Sequence, residues 1–340
     1  MNALFNWGEA PEERGLRLFA AFALAGAGMS LILLAVRMAG AMSLMEPLQL
    51  HTTGDEFTNH YAIWRHVQGL PVYTDRFSQP FYYAIYNWLF YEFYGVVTGA
   101  VLQLFLLSDP WLPTVGRFIS LASMVVGVIA AYLVFVRAAE TADWIVTLIC
   151  LAFAVFVMAG PLIGYWNITV RADLWARTVE TVAIAVFLAK YPRQRWMGMT
   201  WFIVLAYLAW AFKQSNVFAP GAVGLFLLAR RDWKPAAVLA VGLPSLWAAT
   251  IYFGEPQYVH NFLPSDLPLT FTGQRLLCNV VNFTVKSGPI LLFLAGVVWV
   301  AFAVRLRFSD FWRSDAFLVG FAGSLCSAAL AFPASAQTGG

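Results

Sequence analysis

The hydrophobic positions of this chain fall into long runs rather than short alternations. Runs with no charge, or almost none, cover Leu18–Val36, Phe118–Val136, Trp144–Gly164, Pro235–Phe253, Ser287–Val304 and Ala316–Ala336. A hydrocarbon core about 30 Å thick takes about 20 residues of helix, so each run predicts a membrane span. Three shorter or less clean runs, Leu174–Ala189, Trp196–Phe212 and Gln214–Ala229, predict three more. The last two do not make one helix, which would be about 50 Å long. Lys213-Gln214-Ser215-Asn216 reads as a turn between them. The pattern predicts an all-α, polytopic transmembrane helix bundle of about nine spans. No fixed-period repeat or soluble insertion interrupts it, which predicts a single domain over 1–340. Ala39-Gly40-Ala41 resembles a signal-peptide cleavage site, but the apolar run before it is 19 residues long. That exceeds the 7–15 of a signal-peptide core and predicts an uncleaved anchor.

Composition narrows the class further. Of 340 residues, 61% are apolar and 11% charged, against about 45–50% and about 25% in soluble domains. So few charges exclude a soluble enzyme, a disordered chain and a nucleic-acid binder. The net charge of +3 is small, so its distribution carries more information than its total. Cys150, Cys278 and Cys326 are widely separated and predict neither a disulfide framework nor a zinc site.

Short loops rich in Lys and Arg stay in the cytoplasm. Arg14/Arg17, Lys190/Arg193/Arg195, Arg230/Arg231/Lys234 and Arg305/Arg307/Arg313 are the candidates. They conflict in parity with the apolar segment Phe81–Leu107. If that segment crossed the membrane, Arg137 and the three basic loops after it would lie outside. The segment is dense in Phe, Tyr and Trp from Phe81 to Tyr94, and amphipathic aromatics favour the headgroup level. It is read as helices lying in the outer interface, within a first outer loop spanning 37–115; an ordinary span is the alternative. All four histidines (His51, His60, His66, His260) and Asp55, Glu56 and Asp173 then fall on the outer side.

Three groups there could carry chemistry. Asp55 and Glu56 stand amid His51, His60, Tyr61 and Arg65, before a rigid aromatic stretch through Tyr73 and Gln79–Tyr83; solvated loop carboxylates are the alternative. Arg171, Asp173, Arg177 and Glu180 mark the mouth of a span. Asp173–Arg177 (i,i+4) and Arg177–Glu180 (i,i+3) can form a charge ladder, either lining a cavity or neutralising each other to stabilise packing. The third group is cationic: Arg117, Lys213 with Gln214, Arg275 and Lys286. Arg275 and Lys286 could equally touch lipid headgroups, whereas Arg117 and Lys213 sit at helix ends, as if aimed at an anion such as a phosphate. His60 and His66, at i,i+6, do not share a helix face, and no HExxH or clustered His/Cys spacing exists. No metal and no cofactor are predicted.

In their order along the chain, these pieces resemble the GT-C superfamily of membrane glycosyltransferases. The likeness is to the branch with the protein O-mannosyltransferases, the aminoarabinose transferase of lipid A and the RgtA/B/C/D-type lipopolysaccharide transferases. It rests on Asp55-Glu56 after the first span, Gly69-Leu70-Pro71-Val72-Tyr73, the Pro80–Tyr83 stretch, Gly116-Arg117-Phe118-Ile119-Ser120, Arg171-Ala172-Asp173, and Lys213-Gln214 with Pro220, over about 16–300. The chain departs from the family at Gln79-Pro80, where members often carry Pro-Pro. It also ends at Gly340 without the Asn-Tyr motif of longer members, so the resemblance implies a C-terminally truncated chain. Interfacial helices in the first outer loop are a family feature too.

The resemblance implies an inverting glycosyltransferase, hexosyl or pentosyl, multi-pass in the cytoplasmic (inner) membrane with an extracytoplasmic site. Its donor would be a sugar on a polyprenyl phosphate held in the membrane lipid, and its acceptor a hydroxyl on a glycan, lipid or protein. Asp55 would be the catalytic base and Glu56 would orient it or the acceptor, base catalysis contributing about 10²–10⁴-fold. Arg117, Arg171 and Lys213 would neutralise the leaving phosphate. Asp173 would bind sugar or hold Arg171 and Lys213, with Gln214, Tyr73 and His60 as further substrate contacts. The alternative is a membrane transporter, flippase or ligase for a polyprenyl-linked glycan. Transporters bind near the midplane between repeats, whereas here the polar residues crowd one side.

Overall fold

The computed structural model describes residues 11–41, 55–75, 79, 82, 84–140, 143–160 and 166–262, with isolated positions 273, 274, 277, 278, 281 and 315. Among the described residues every regular element is helical. In chain order they are α1 (Pro11–Ala41), α2 (Asp55–Val67), α3 (Trp88–Leu104), a 3-10 turn at Asp109–Trp111, α4 (Leu112–Ala139), α5 (Trp144–Ala159), α6 (Ala172–Lys190), α7 (Arg195–Phe212), α8 (Phe218–Ala229), α9 (Trp233–Phe253) and α10 (Pro256–Phe262). The runs Ser287–Val304 and Ala316–Ala336, and with them Arg275, Lys286, His51 and the basic group Arg305/Arg307/Arg313, lie outside the described residues.

Among the described residues, three helical stretches are long and apolar enough to cross a membrane: Gly15–Ala41, Asp109–Ala139 and Trp233–Phe253, with mean hydropathies of 2.3, 2.5 and 1.7. This is a membrane protein with a helical bundle. Where the pattern predicts spans at Trp144–Gly164 and Gln214–Ala229, the structure has the shorter apolar helices Trp144–Ala159 and Phe218–Ala229. The expected turn near Lys213 separates α7 from α8. Local chemistry sets the boundaries: the Asp143 side chain accepts from the Ile145 amide at 2.7 Å to start α5, and Asn87 caps α3.

The helices share two ends. At one, the Tyr191 hydroxyl and Arg195 reach Asp232 at 2.7 and 3.1 Å, joining the α6–α7 and α8–α9 connections. Arg137, at the end of α4, and Arg230 both reach Asp315, at 3.6 and 3.9 Å. The basic residues flanking these helices therefore gather at one end of the bundle. The other end holds the close of α1, the start of α4 and α6, and the turn after α7.

The aromatic segment from Ala84 on belongs to that second end. Asn87 Nδ2 donates to the Trp210 carbonyl near the end of α7 at 2.8 Å. On its far side, Asp109 accepts from Trp64 Nε1 of α2 at 2.9 Å, just before α4 begins. The chain from Asn87 to Asp109 thus leaves and returns without traversing the bundle. The physical reason differs from the expectation, however. Phe90, Tyr91 and Tyr94 face inward, at most 1% exposed, in a core shared with Ala62, Ile63, Ile119 and Phe212. Burying each such ring removes about 1.5–3 kcal/mol of apolar exposure. The two tyrosine hydroxyls are satisfied inside, Tyr94 by Ser120 at 2.8 Å and Tyr91 by the Tyr86 amide at 3.3 Å. Helices α2 and α3 pack so closely that a Cβ on Gly95 would stand 2.0 Å from His66.

Candidate functional site

The centre of the non-basic end is a buried ion pair. Glu56, in the first turn of α2, and Arg117, in the second turn of α4, are both 0% exposed. Arg117 Nε and Nη2 donate to the two carboxylate oxygens at 3.2 and 3.3 Å, a fork-on-fork geometry. Arg117 Nη1 also donates to the Ala41 carbonyl at 2.7 Å, which ties in the end of α1. The same Glu56 oxygen accepts from the Val170 amide at 3.2 Å. Asn59, one turn along α2, donates to the Val170 carbonyl at 2.9 Å, and Ser120 donates to the Thr169 carbonyl at 2.7 Å. Helices α2 and α4 thereby grip the backbone of 169–170, directly before α6. Gly116 permits the approach, since a Cβ there would stand 2.7 Å from Val170 Cγ2.

His60 closes this core. It lies i,i+4 from Glu56, with Nε2 3.9 Å from the carboxylate, and neither ring nitrogen has a hydrogen-bond partner. Burial, against the pull of Glu56 and with a push from Arg117, lowers its pKa to about 4. The ring is neutral at pH 7.

Three residues on from the gripped backbone lies a second, more open charge cluster. Asp173, in the first turn of α6, pairs with Lys213 in the turn after α7 and with Arg171 at 3.5 Å. Asp173 and Lys213 keep 21% and 22% of their side chains exposed. Burial alone would raise the Asp173 carboxyl, but Lys213 and then Arg171 hold it below the usual carboxylate range. Lys213 Nζ stands 5.7 Å from the Tyr86 ring centroid and the Arg171 guanidinium 4.8 Å from that of Trp166, both within cation–π range. Gln214 Nε2 donates to the Ile85 carbonyl at 2.9 Å, while its Oε1 is buried without a partner. Tyr73 donates to the Tyr86 carbonyl at 2.9 Å and packs edge-on against Tyr91 and Tyr258. Tyr258 in turn donates to Asn87.

The residues singled out in the sequence therefore gather at one end but divide into two kinds. Asp55 opens α2, and its side chain lies outside the described part of the structure. Glu56, Arg117 and His60 form an enclosed structural core, so Arg117, expected to face a phosphate, faces Glu56 instead. Arg171, Asp173, Lys213 and Gln214 form the accessible cluster. The expected ladder along α6 also resolves differently. Asp173 turns to Lys213, and Arg177 donates to the Val157 carbonyl at 2.9 Å. Glu180 accepts from the Ala219 amide at 2.9 Å and from Asn216 at 3.1 Å, capping α8. Asn59 was missed, although it shares the i,i+3 face of Glu56, and Ser120, on that of Arg117, entered only as part of the Gly116–Ser120 stretch with no role of its own. The residues Tyr86 and Asn87 carried no such signal. Comparison with protein-family models, curated proteins and solved structures finds no match to this chain.

Proposed function

We propose that this chain is an inverting membrane glycosyltransferase that moves a sugar from a polyprenyl phosphate to a hydroxyl acceptor at the non-basic end of the bundle. The observation that carries the reading is the half-buried cluster in which Lys213 and Arg171 flank Asp173, next to the backbone that the first turn of α2 grips. Asp55, at the head of that helix, takes the proton from the acceptor hydroxyl. The oxygen attacks the anomeric carbon, the bond from that carbon to the phosphate oxygen breaks, and the lipid phosphate leaves with an added negative charge. Lys213 and Arg171 are the cations at hand for that charge, each beside an aromatic ring, Tyr86 and Trp166. Gln214 Oε1, lacking a partner, is a ready acceptor for a sugar hydroxyl. Tyr73 is a wall residue, and His60 and Glu56 position the helix rather than touch substrate. The basic end faces the cytoplasm by the positive-inside rule, which puts the reaction on the extracytoplasmic face.

The purified full chain in proteoliposomes, given polyprenyl-phosphate hexose and pentose donors with hydroxyl-bearing lipid acceptors, tests this. Release of polyprenyl phosphate and glycosylated acceptor are the readouts. Asp55→Asn is expected to lower turnover by about 10²–10⁴-fold with melting temperature unchanged, and Lys213→Ala to lower it by more than tenfold. A folded Asp55→Asn protein with full transfer activity ends the base assignment. Movement of intact donor across the bilayer without release of polyprenyl phosphate would mark a flippase.

A further inference from the structure

The basic end carries a cleft that the charge clusters above do not use. It has a volume of about 930 Å³ and runs between α4 and α6. Its lining residues recur at helical spacing on α4 from Val126 to Glu140 and on α6 from Val182 to Lys190, so it is the valley between two helix faces. Toward the site the two helices are laced together, Thr178 Oγ1 donating to the Ser123 carbonyl at 2.9 Å. Beyond that point small residues such as Ala130 and Ala185 open the valley, and its apolar wall faces outward, with Ile129 and Leu133 56% and 54% exposed.

The polar lining groups, Arg137, Glu140 and Lys190, all stand at one end. The apolar α4 side of the valley, from Val126 to Val136, is about 15 Å long at 1.5 Å per residue, against about 15 Å for half of a hydrocarbon core. That is an apolar valley of one leaflet's depth, closed by cations at headgroup level. Arg193 adjoins Lys190 in a smaller cavity, and Asp315 is shared between Arg137 and Arg230. The cations Arg137, Lys190, Arg193 and Arg230 thus outnumber the carboxylates Glu140 and Asp315.

We propose that this cleft binds one anionic glycerophospholipid, with an acyl chain along the α4–α6 valley and its phosphate between Arg137 and Lys190. Basic sites between membrane helices suit such headgroups, and guanidinium or ammonium donors to phosphate are among the stronger hydrogen bonds. The inference is independent of the sugar-transfer reading, because it concerns the opposite end of the molecule and needs no catalysis.

The test is native mass spectrometry of the full chain, delipidated in detergent and equilibrated with dioleoyl phosphatidylglycerol or, separately, dioleoyl phosphatidylcholine. One phosphatidylglycerol per chain is expected to stay bound, about tenfold more strongly than phosphatidylcholine. Arg137→Ala/Lys190→Ala is expected to lower its retention about tenfold, and Ala185→Trp, which fills the valley without touching a charge, to lower it as much. Lys190→Ala alone, at an exposed position, serves if the double variant aggregates. Equal retention of the two lipids overturns the proposal. So does wild-type retention by either the charge variants or Ala185→Trp.

Discussion

Glu56 and Arg117 show how a single residue's environment redirects its chemistry. Alone in sequence, Arg117 is a charge at the edge of an apolar run and Glu56 a charge in a polar loop. Together they form a buried fork, and removing one partner of such a pair leaves an unpaired buried charge, costing about 3–5 kcal/mol. Glu56→Gln and Arg117→Gln should therefore each lower unfolding stability in detergent by that order, and the double variant should lose clearly less than their sum. Additive losses would show that the pair is not coupled. His60 supplies a pH signature. Its pKa of about 4 in the folded protein lies below the 6.5 of an unfolded chain, so unfolding takes up a proton between those values. Its contribution is fully present above about pH 6.5, declines as pH falls toward about 4, and amounts to about 3 kcal/mol. The melting temperature of wild type should thus fall more between pH 7.5 and 5 than that of His60→Leu. Parallel curves would mean that the ring is protonated or exposed.

At the scale of elements, the break between α7 and α8 was legible because a continuous helix is too long for a bilayer and because Lys213–Asn216 is polar. What starts α8 was not legible, for its cap is Glu180, a carboxylate inside α6 that accepts from Ala219 and Asn216. A mid-helix acid has no local reason to cap a helix 39 positions later. Glu180→Ala should remove the cap and lower stability by about 1–3 kcal/mol, with faster proteolysis between Lys213 and Val217 as the readout. Unchanged cleavage would deny the capping role. The aromatic segment teaches the converse. Its richness in Tyr, Phe and Trp marked it as no ordinary span, yet Phe90, Tyr91 and Tyr94 turn to protein rather than to headgroups. Composition reports amphipathic rings but not which neighbour will cover them.

For the molecule as a whole, the two ends are the organising fact, one collecting the basic connections and the other the Glu56–Arg117 and Asp173–Lys213 clusters. In oriented vesicles of a chain with its native cysteines replaced, a cysteine at Ser108 should react with a membrane-impermeant maleimide from the extracytoplasmic side. One at Arg193 should react only from the cytoplasmic side. Swapped labelling, Ser108 from the cytoplasmic side and Arg193 from the extracytoplasmic side, would mean that the segment before Asp109 crosses the membrane and that the parity argument fails.

The sequence by itself determined that the chain lives in a membrane, that its elements are helices, and roughly where several begin and end. These follow from run length, charge density and the spacing of basic residues, which are local properties of a chain in a bilayer. Only the tertiary structure decided which charges meet. Glu56 finds Arg117 across 61 positions and Lys213 finds Asp173 across 40, and from this comes the division between a sealed core and an accessible cluster. A charge's exposure depends on what packs over it, and that is settled by helices distant in the chain coming together.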